Sequence, residues 1–145
     1  MLNSSNEKRF NDISCSDFIV KCKNTIFHVH QSVLIDRCEY FAALLRNECL
    51  ENKKKELIIK DFEPHIVEIF LKYIYTSAMN LLAYPQCEAY KMFLKDISDL
   101  MQMADKYLLS ELVATCDSYL AEWFTFQLET KCDKKFFKDR HRCLV

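Results

Sequence analysis

The stretch SDFIVKCKNTIFHVHQSVLIDRCEYFAALL, residues 16–45, changes its hydrophobic period part-way along. In DFIVKCK, residues 17–23, apolar and polar positions alternate, so Phe18, Val20 and Cys22 share one face of a half-buried strand. Lys23-Asn24 reads as a turn and TIFHVH, residues 25–30, as a second strand, which makes the pair a hairpin. Beyond it Val33, Leu34, Tyr40, Phe41, Leu44 and Leu45 recur at helical intervals. A break near Asp36-Arg37 predicts two short helices rather than one.

Working outward, ENKKK at 51–55 is a charge run expected to be solvated, and ELIIK at 56–60 is a short third strand. Pro64 opens a helix at the position where its missing N–H costs nothing. Val67, Phe70, Leu71, Ile74 and Tyr75 form that helix's apolar stripe. After a loop at 80–87, residues 90–106 predict another helix with Phe93, Ile97, Leu100, Met101 and Ala104 inward. A last helix runs from Ser110, read as its N-cap, to about Phe124, with Leu112, Val113, Cys116, Tyr119, Leu120 and Trp123 as its stripe. The order predicts an α+β domain: a small three-stranded sheet flanked by about five to six helices, with no βαβ alternation.

Composition narrows the function. At 145 residues the chain suits one domain, and 50% hydrophobic with 28% charged residues is an ordinary globular balance. A net charge of −1 speaks against a nucleic-acid binder, which carries a basic excess. There is no apolar run of about 18 residues to span a membrane, and MLNSSNEKRFND lacks the apolar core of a secretory signal, so an intracellular protein is expected, cytoplasmic or nuclear. With no glycine in the chain, phosphate-cradling loops are excluded. Turns of positive φ are expected at Asn24, Asn52 and Asn80.

The reactive residue types have a chemical and a structural reading. Eight cysteines at 15, 22, 38, 49, 87, 116, 132 and 143 include no C-x-x-C pair, so reduced thiols packed as small hydrophobes are preferred over a disulfide framework or zinc site. His28 and His30 point to one face of a strand, and with Cys22 or Cys38 they offer metal ligands or a Cys/His nucleophile pair. The preferred alternative has His30 half-buried and bonded to backbone, with His28 exposed at a strand edge. In the tail, Cys132, His141 and Cys143 lack a fourth ligand and close spacing, and six basic residues between 131 and 142 read as a solvated segment.

Three segments in this order resemble the BTB (POZ) domain family. SDFIVKCKNTIFHVHQSVLIDRCEYFAALL resembles its strand, hairpin, F-x-x-H-x-x-x-L and S-x-Y-F-like helix. ELIIKDFEPHIVEIFLKYIYTS at 56–77 carries D-x-x-P, F-x-x-x-L-x-Y-I-Y and a Y-T ending. DLMQMADKYLLSELVATCDSYL at 99–120 is similar to its A-D-x-Y-x-L-x-x-L-x-x-x-C-x-x-L helix pair. The family's glycine after Y-T is replaced by Ser77, and its basic residue after the hairpin histidine by Gln31.

The resemblance implies a BTB fold over 15–125, after an N-terminal segment 1–14 with room for a short helix, and before a basic tail 126–145. It implies a non-catalytic interaction module, most similar to adaptors that bind the N-terminal region of cullin-3 for ubiquitin ligase assembly (BTB-Kelch or MATH-BTB type). On alignment at Tyr40-Phe41, the family's hydrophobic-x-Glu element falls on Cys49-Leu50-Glu51. The implied cullin-3 face is Tyr40, Phe41, Leu45, Cys49 and Glu51, with Tyr107 and Leu108. A self-associating module of a transcriptional regulator is the alternative, with Asp17 and Gln31 at the dimer pocket of dimeric members. A zinc- or cysteine-dependent enzyme is a third expectation, and no cofactor or small-molecule substrate is expected. Only about 20 residues follow the last predicted helix, too few for a recognition domain, so either a fragment of a longer adaptor or a stand-alone module that competes for the scaffold is expected.

Overall fold

The computed structural model describes residues 4–79 and 89–142, with side-chain surroundings for 5–79, 94–126, 128 and 129. Helix α1 (Ser4–Arg9) precedes the hairpin of β1 (Phe18–Cys22) and β2 (Thr25–Val29). Helices α2 (Gln31–Arg37), α3 (Glu39–Arg46) and α4 (Leu50–Lys54) lead to strand β3 (Glu56–Ile59). Helices α5 (Pro64–Thr76), α6 (Ala89–Lys106) and α7 (Ser110–Arg142) complete the chain. The sheet order is β2-β1-β3, with β1 antiparallel to β2 and parallel to β3.

Alternation in β1 does what its pattern predicts. Phe18, Val20 and Cys22 are buried in the core, and their partners Val29, Phe27 and Ile59 are buried beside them. Helix α5 carries the centre of the core, with Ile66, Val67, Phe70, Leu71 and Ile74 all buried. Pro64 opens that helix. Full burial of such side chains stabilises by about 1.5–3 kcal/mol each, so the centre is held by this helix and the sheet. Cys22, Cys38 and Cys116 are free buried thiols, and burial pushes all of them up, Cys116 to about 11.

Turn chemistry departs from expectation. Positive φ falls at Asn11, Lys23, Lys55, Ser77 and Leu108 rather than at Asn24 or Asn52, and Asn80 lies outside the described residues. Position outweighs residue preference here. Lys55 and Ser77 close helices α4 and α5, where left-handed backbone lets the cap N–H reach a helical carbonyl, as Ser77 does to Tyr73 O at 2.7 Å. Ser77 thus makes without glycine the turn that usually takes it, and its hydroxyl accepts from the Arg37 guanidinium.

Three further readings change. The charge run ENKKK is largely helical, as α4, while its three lysines remain exposed. Ser110 is the first helical residue of α7 rather than the cap before it. Helix α7 also continues to Arg142, well past the expected end near Phe124, leaving Phe124, Phe126 and Leu128 exposed. The loop at 80–87, Cys87, the side chains of Phe93, Cys132 and His141, and Cys143 lie outside the description. Among the described residues no helix is long and apolar enough to cross a membrane, and no group of three or more His, Cys, Asp or Glu is placed to hold a metal ion.

Candidate functional site

Helix α3 begins where Cys38 leaves helical backbone. Its thiol donates to Tyr107 O at 3.1 Å, latching the start of α3 to the turn between α6 and α7. Aromatic rings fill that junction. Tyr107 stacks on Phe41 at 6.0 Å and 13°, meets Phe70 at 5.5 Å and meets Tyr40 edge-on at 4.7 Å. Burial pushes the Tyr107 hydroxyl well above its ordinary value.

The next residue breaks outward. Leu108 sits at φ 58°, and the turn is closed by Leu108 N to Asp105 O at 3.2 Å and Leu109 N to Ala104 O at 2.8 Å. Left-handed backbone costs a non-glycine residue about 1–2 kcal/mol, and the bonds to α6 carbonyls offset it. The outcome places Leu109 in the core and leaves Leu108 58% exposed. An open groove of about 320 Å³ runs between this turn and α3, lined by Asp36, Arg37, Glu39, Leu108, Ser110 and Glu111 among others. A neighbouring groove shares Asp36, Arg37 and Glu39 and extends along α3 past Ala42, Ala43 and Arg46.

At the other end of α3, Cys49 precedes α4 and donates its thiol to Leu44 O at 3.4 Å. Asn52 reaches back from α4 to Leu45 O at 3.0 Å and Asn47 O at 2.9 Å, satisfying carbonyls that the end of α3 leaves open. That tie fixes the Cys49-Leu50-Glu51 corner. Leu50 projects 62% exposed, while Cys49 and Glu51 are half-buried.

Of the face named from the sequence, Leu108 reaches the surface, and Tyr40, Cys49 and Glu51 reach it in part. Phe41 and Tyr107 are core residues, and Leu45 is buried as well. These three lie beneath the face, with the Tyr107 ring stacked on Phe41 and meeting Tyr40 edge-on. Sequence reasoning missed Leu50 as the exposed apolar group and Asn52 as the brace. An asparagine soon after a helix end was the available signal.

Asp17 and Gln31 do meet. The Asp17 carboxylate accepts the Gln31 backbone N–H at 2.8 Å, and the Gln31 side-chain amide donates to Asp17 O at 3.2 Å. The carboxylate thereby caps the start of α2 and joins it to β1. His28 lies half-buried in edge strand β2, with its backbone N–H donating to Asn11 Oδ1 at 2.9 Å. His30 differs from the expected half-buried, backbone-bonded ring: it is buried, and both ring nitrogens face side chains rather than backbone.

The BTB/POZ domain family model matches residues 5–122. Kelch-like protein 40a of Danio rerio is 32% identical over 106 residues, covering 73% of this chain and 16% of that protein. Kelch-like protein 40 of Xenopus laevis is 27% identical over 104 residues, covering 72% and 15%. The chain thus spans about a sixth of the length of the curated relatives it matches. Among solved structures, the BTB domain of zebrafish PATZ1 superposes with a TM-score of 0.59 at 20% identity, covering 81% of this chain and 84% of that one. The sheet, the helices around it and the family match converge: the chain belongs to the BTB/POZ domain family and is a protein-interaction module of α+β fold.

Proposed function

We propose that this module is an adaptor that docks the N-terminal region of cullin-3, either recruiting a ubiquitin ligase scaffold or competing for it. The observation that carries the reading is Leu108, an exposed leucine held by a left-handed turn and lining an open groove with Asp36, Arg37 and Glu39. Leu50 and Glu51 extend the same chemistry at the far end of α3. An apolar anchor fills a partner pocket, and a carboxylate fixes register through a charge-assisted bond. Similarity to Kelch-like proteins supports the assignment. Residues 15–125 form the docking unit in this proposal, and the basic segment 126–145 is a tail beyond it.

Calorimetry with a cullin-3 N-terminal fragment tests the reading. Wild-type protein is expected to bind at about 10 μM or tighter, and Glu51→Lys to lose binding while keeping its unfolding midpoint. No wild-type heat of binding at that concentration would overturn it. A second reading, self-association beside Asp17 and Gln31, draws on Ile13, which is 70% exposed nearby in sequence. Light scattering separates them: a strict monomer that binds cullin-3 excludes self-assembly.

A further inference from the structure

Cys15, His30, Tyr75 and Asp12 come together where α1, the hairpin and α5 meet, away from the face described above. The Cys15 sulfur lies 3.0 Å from His30 Nε2 and 3.8 Å from Asp12 Oδ2, and Cys15 is exposed. His30 is only 3% exposed, with Nδ1 2.8 Å from the Tyr75 hydroxyl. That hydroxyl also accepts the His30 backbone N–H at 2.8 Å.

Hydrogen accounting fixes the direction of this chain. The Tyr75 oxygen has one hydrogen to give. Nδ1 is the acceptor in reach, and a buried hydroxyl left without one costs about 1–3 kcal/mol. Tyr75 therefore donates to Nδ1, and the neutral ring carries its own hydrogen on Nε2, aimed at the Cys15 sulfur. Burial, with Arg9 nearby, lowers the His30 pKa and keeps the ring neutral. The Asp12 carboxylate opposes negative charge on sulfur, but it is the more distant neighbour, and Ser14 already donates to it from backbone N–H and hydroxyl at 3.0 and 2.6 Å.

We propose that Cys15 is a thiol–disulfide exchange site, positioned by His30 and Tyr75, that takes up low-molecular-weight disulfides of the glutathione type. The Cys15 thiol loses its proton to solvent. The thiolate, held by the Nε2–H bond, attacks one sulfur of the disulfide. The S–S bond of the reagent breaks as the Cys15–S–S bond forms. Cys15 is oxidised, and the departing thiolate is reduced and takes a proton from water. Cys22, Cys38 and Cys116 carry no such chemistry, being buried with their thiols spent on Phe62 O, Tyr107 O and Met79 Sδ.

The test incubates folded protein with glutathione disulfide at neutral pH and follows the Cys15 adduct by peptide mass mapping. A synthetic peptide of residues 10–20 is the reference. The expected rate is about threefold or more above the peptide's, since the bond to His30 Nε2 holds the sulfur in one of its three staggered rotamers before it attacks. His30→Leu, which offers the sulfur no donor, is expected to bring the rate down to the peptide's. Where that variant loses its circular dichroism signature, Tyr75→Phe serves instead, expected to slow Cys15 severalfold. A wild-type rate at or below the peptide's overturns the proposal, as does an unchanged rate in a folded variant.

Discussion

The hairpin corner and the α3 face both gather residues that look reactive or sticky in the sequence, and the fold treats them in opposite ways. At the corner, His30 is spent on Tyr75 and Cys15, and Asp17 on the first N–H of α2. Along α3 the polar groups brace backbone, as Asn52 does, while Leu50 and Leu108 are left projecting. A closed polar network fixes conformation, because leaving any member unpaired is costly. An exposed leucine offers the fold nothing and a partner about 1.5–3 kcal/mol on burial. Side chains that stabilise and side chains proposed to bind thus lie close together, one residue apart at Tyr107 and Leu108 in the turn between α6 and α7.

The largest test of that separation is Phe41→Ala against Leu50→Asp. Phe41 is fully buried between Tyr107 and Tyr40, so its removal leaves a cavity and is expected to destabilise by about 3–5 kcal/mol. Leu50→Asp is expected to stay within about 0.5 kcal/mol of wild type, as surface changes do. Urea unfolding measures both. A Leu50→Asp loss comparable to that of Phe41→Ala would place Leu50 in the core and erase the contrast.

How much of this was legible beforehand follows from the same division. The period of the side chains carried the strands and helices: Phe18, Val20 and Cys22 on one face of β1, and Val67, Phe70, Leu71 and Ile74 on one face of α5, are the core found. The outward face was only half readable. Helical spacing says that Tyr40, Phe41 and Leu45 belong together, not which of them the neighbouring turn covers. Tyr107 was unreadable as core because the left-handed step at Leu108, with no glycine to mark it, decides which side chain turns in. His30 was legible as a packed histidine, but Tyr75 lies 45 residues on, so its partner emerges only when α5 docks.

A smaller effect sharpens the pair at the turn. Leu108→Gly removes the penalty of left-handed backbone and returns freedom to the unfolded chain, and the two nearly cancel. The variant is expected to be about 0.5 kcal/mol more stable in urea. Its affinity for the cullin-3 fragment is expected to fall about tenfold, the loss of roughly 1.4 kcal/mol of leucine burial in the partner. Changes of opposite sign at one residue are the signature of a side chain kept for binding at the expense of stability. Parallel changes would mean that Leu108 serves the turn alone.

The smallest effect belongs to the closed corner. Burial, then the positive charge of Arg9, holds the His30 pKa below its ordinary 6.5, while Asp17 and Asp12 pull the other way and limit the shift. The unfolded chain therefore binds a proton on this ring at a pH where the folded chain does not. Stability from the neutral ring is whole above about pH 6.5, declines as pH falls below it and levels off once the folded ring also protonates. Urea midpoints at about pH 7.5 and about pH 5.5, above the carboxylate range, should fall in wild type and fall less in His30→Gln. Equal declines would take His30 out of the change. A larger decline in wild type would show that closing a polar corner around histidine ties the hairpin's stability to pH, a dependence that the leucines of the α3 face cannot have because they carry no proton to exchange.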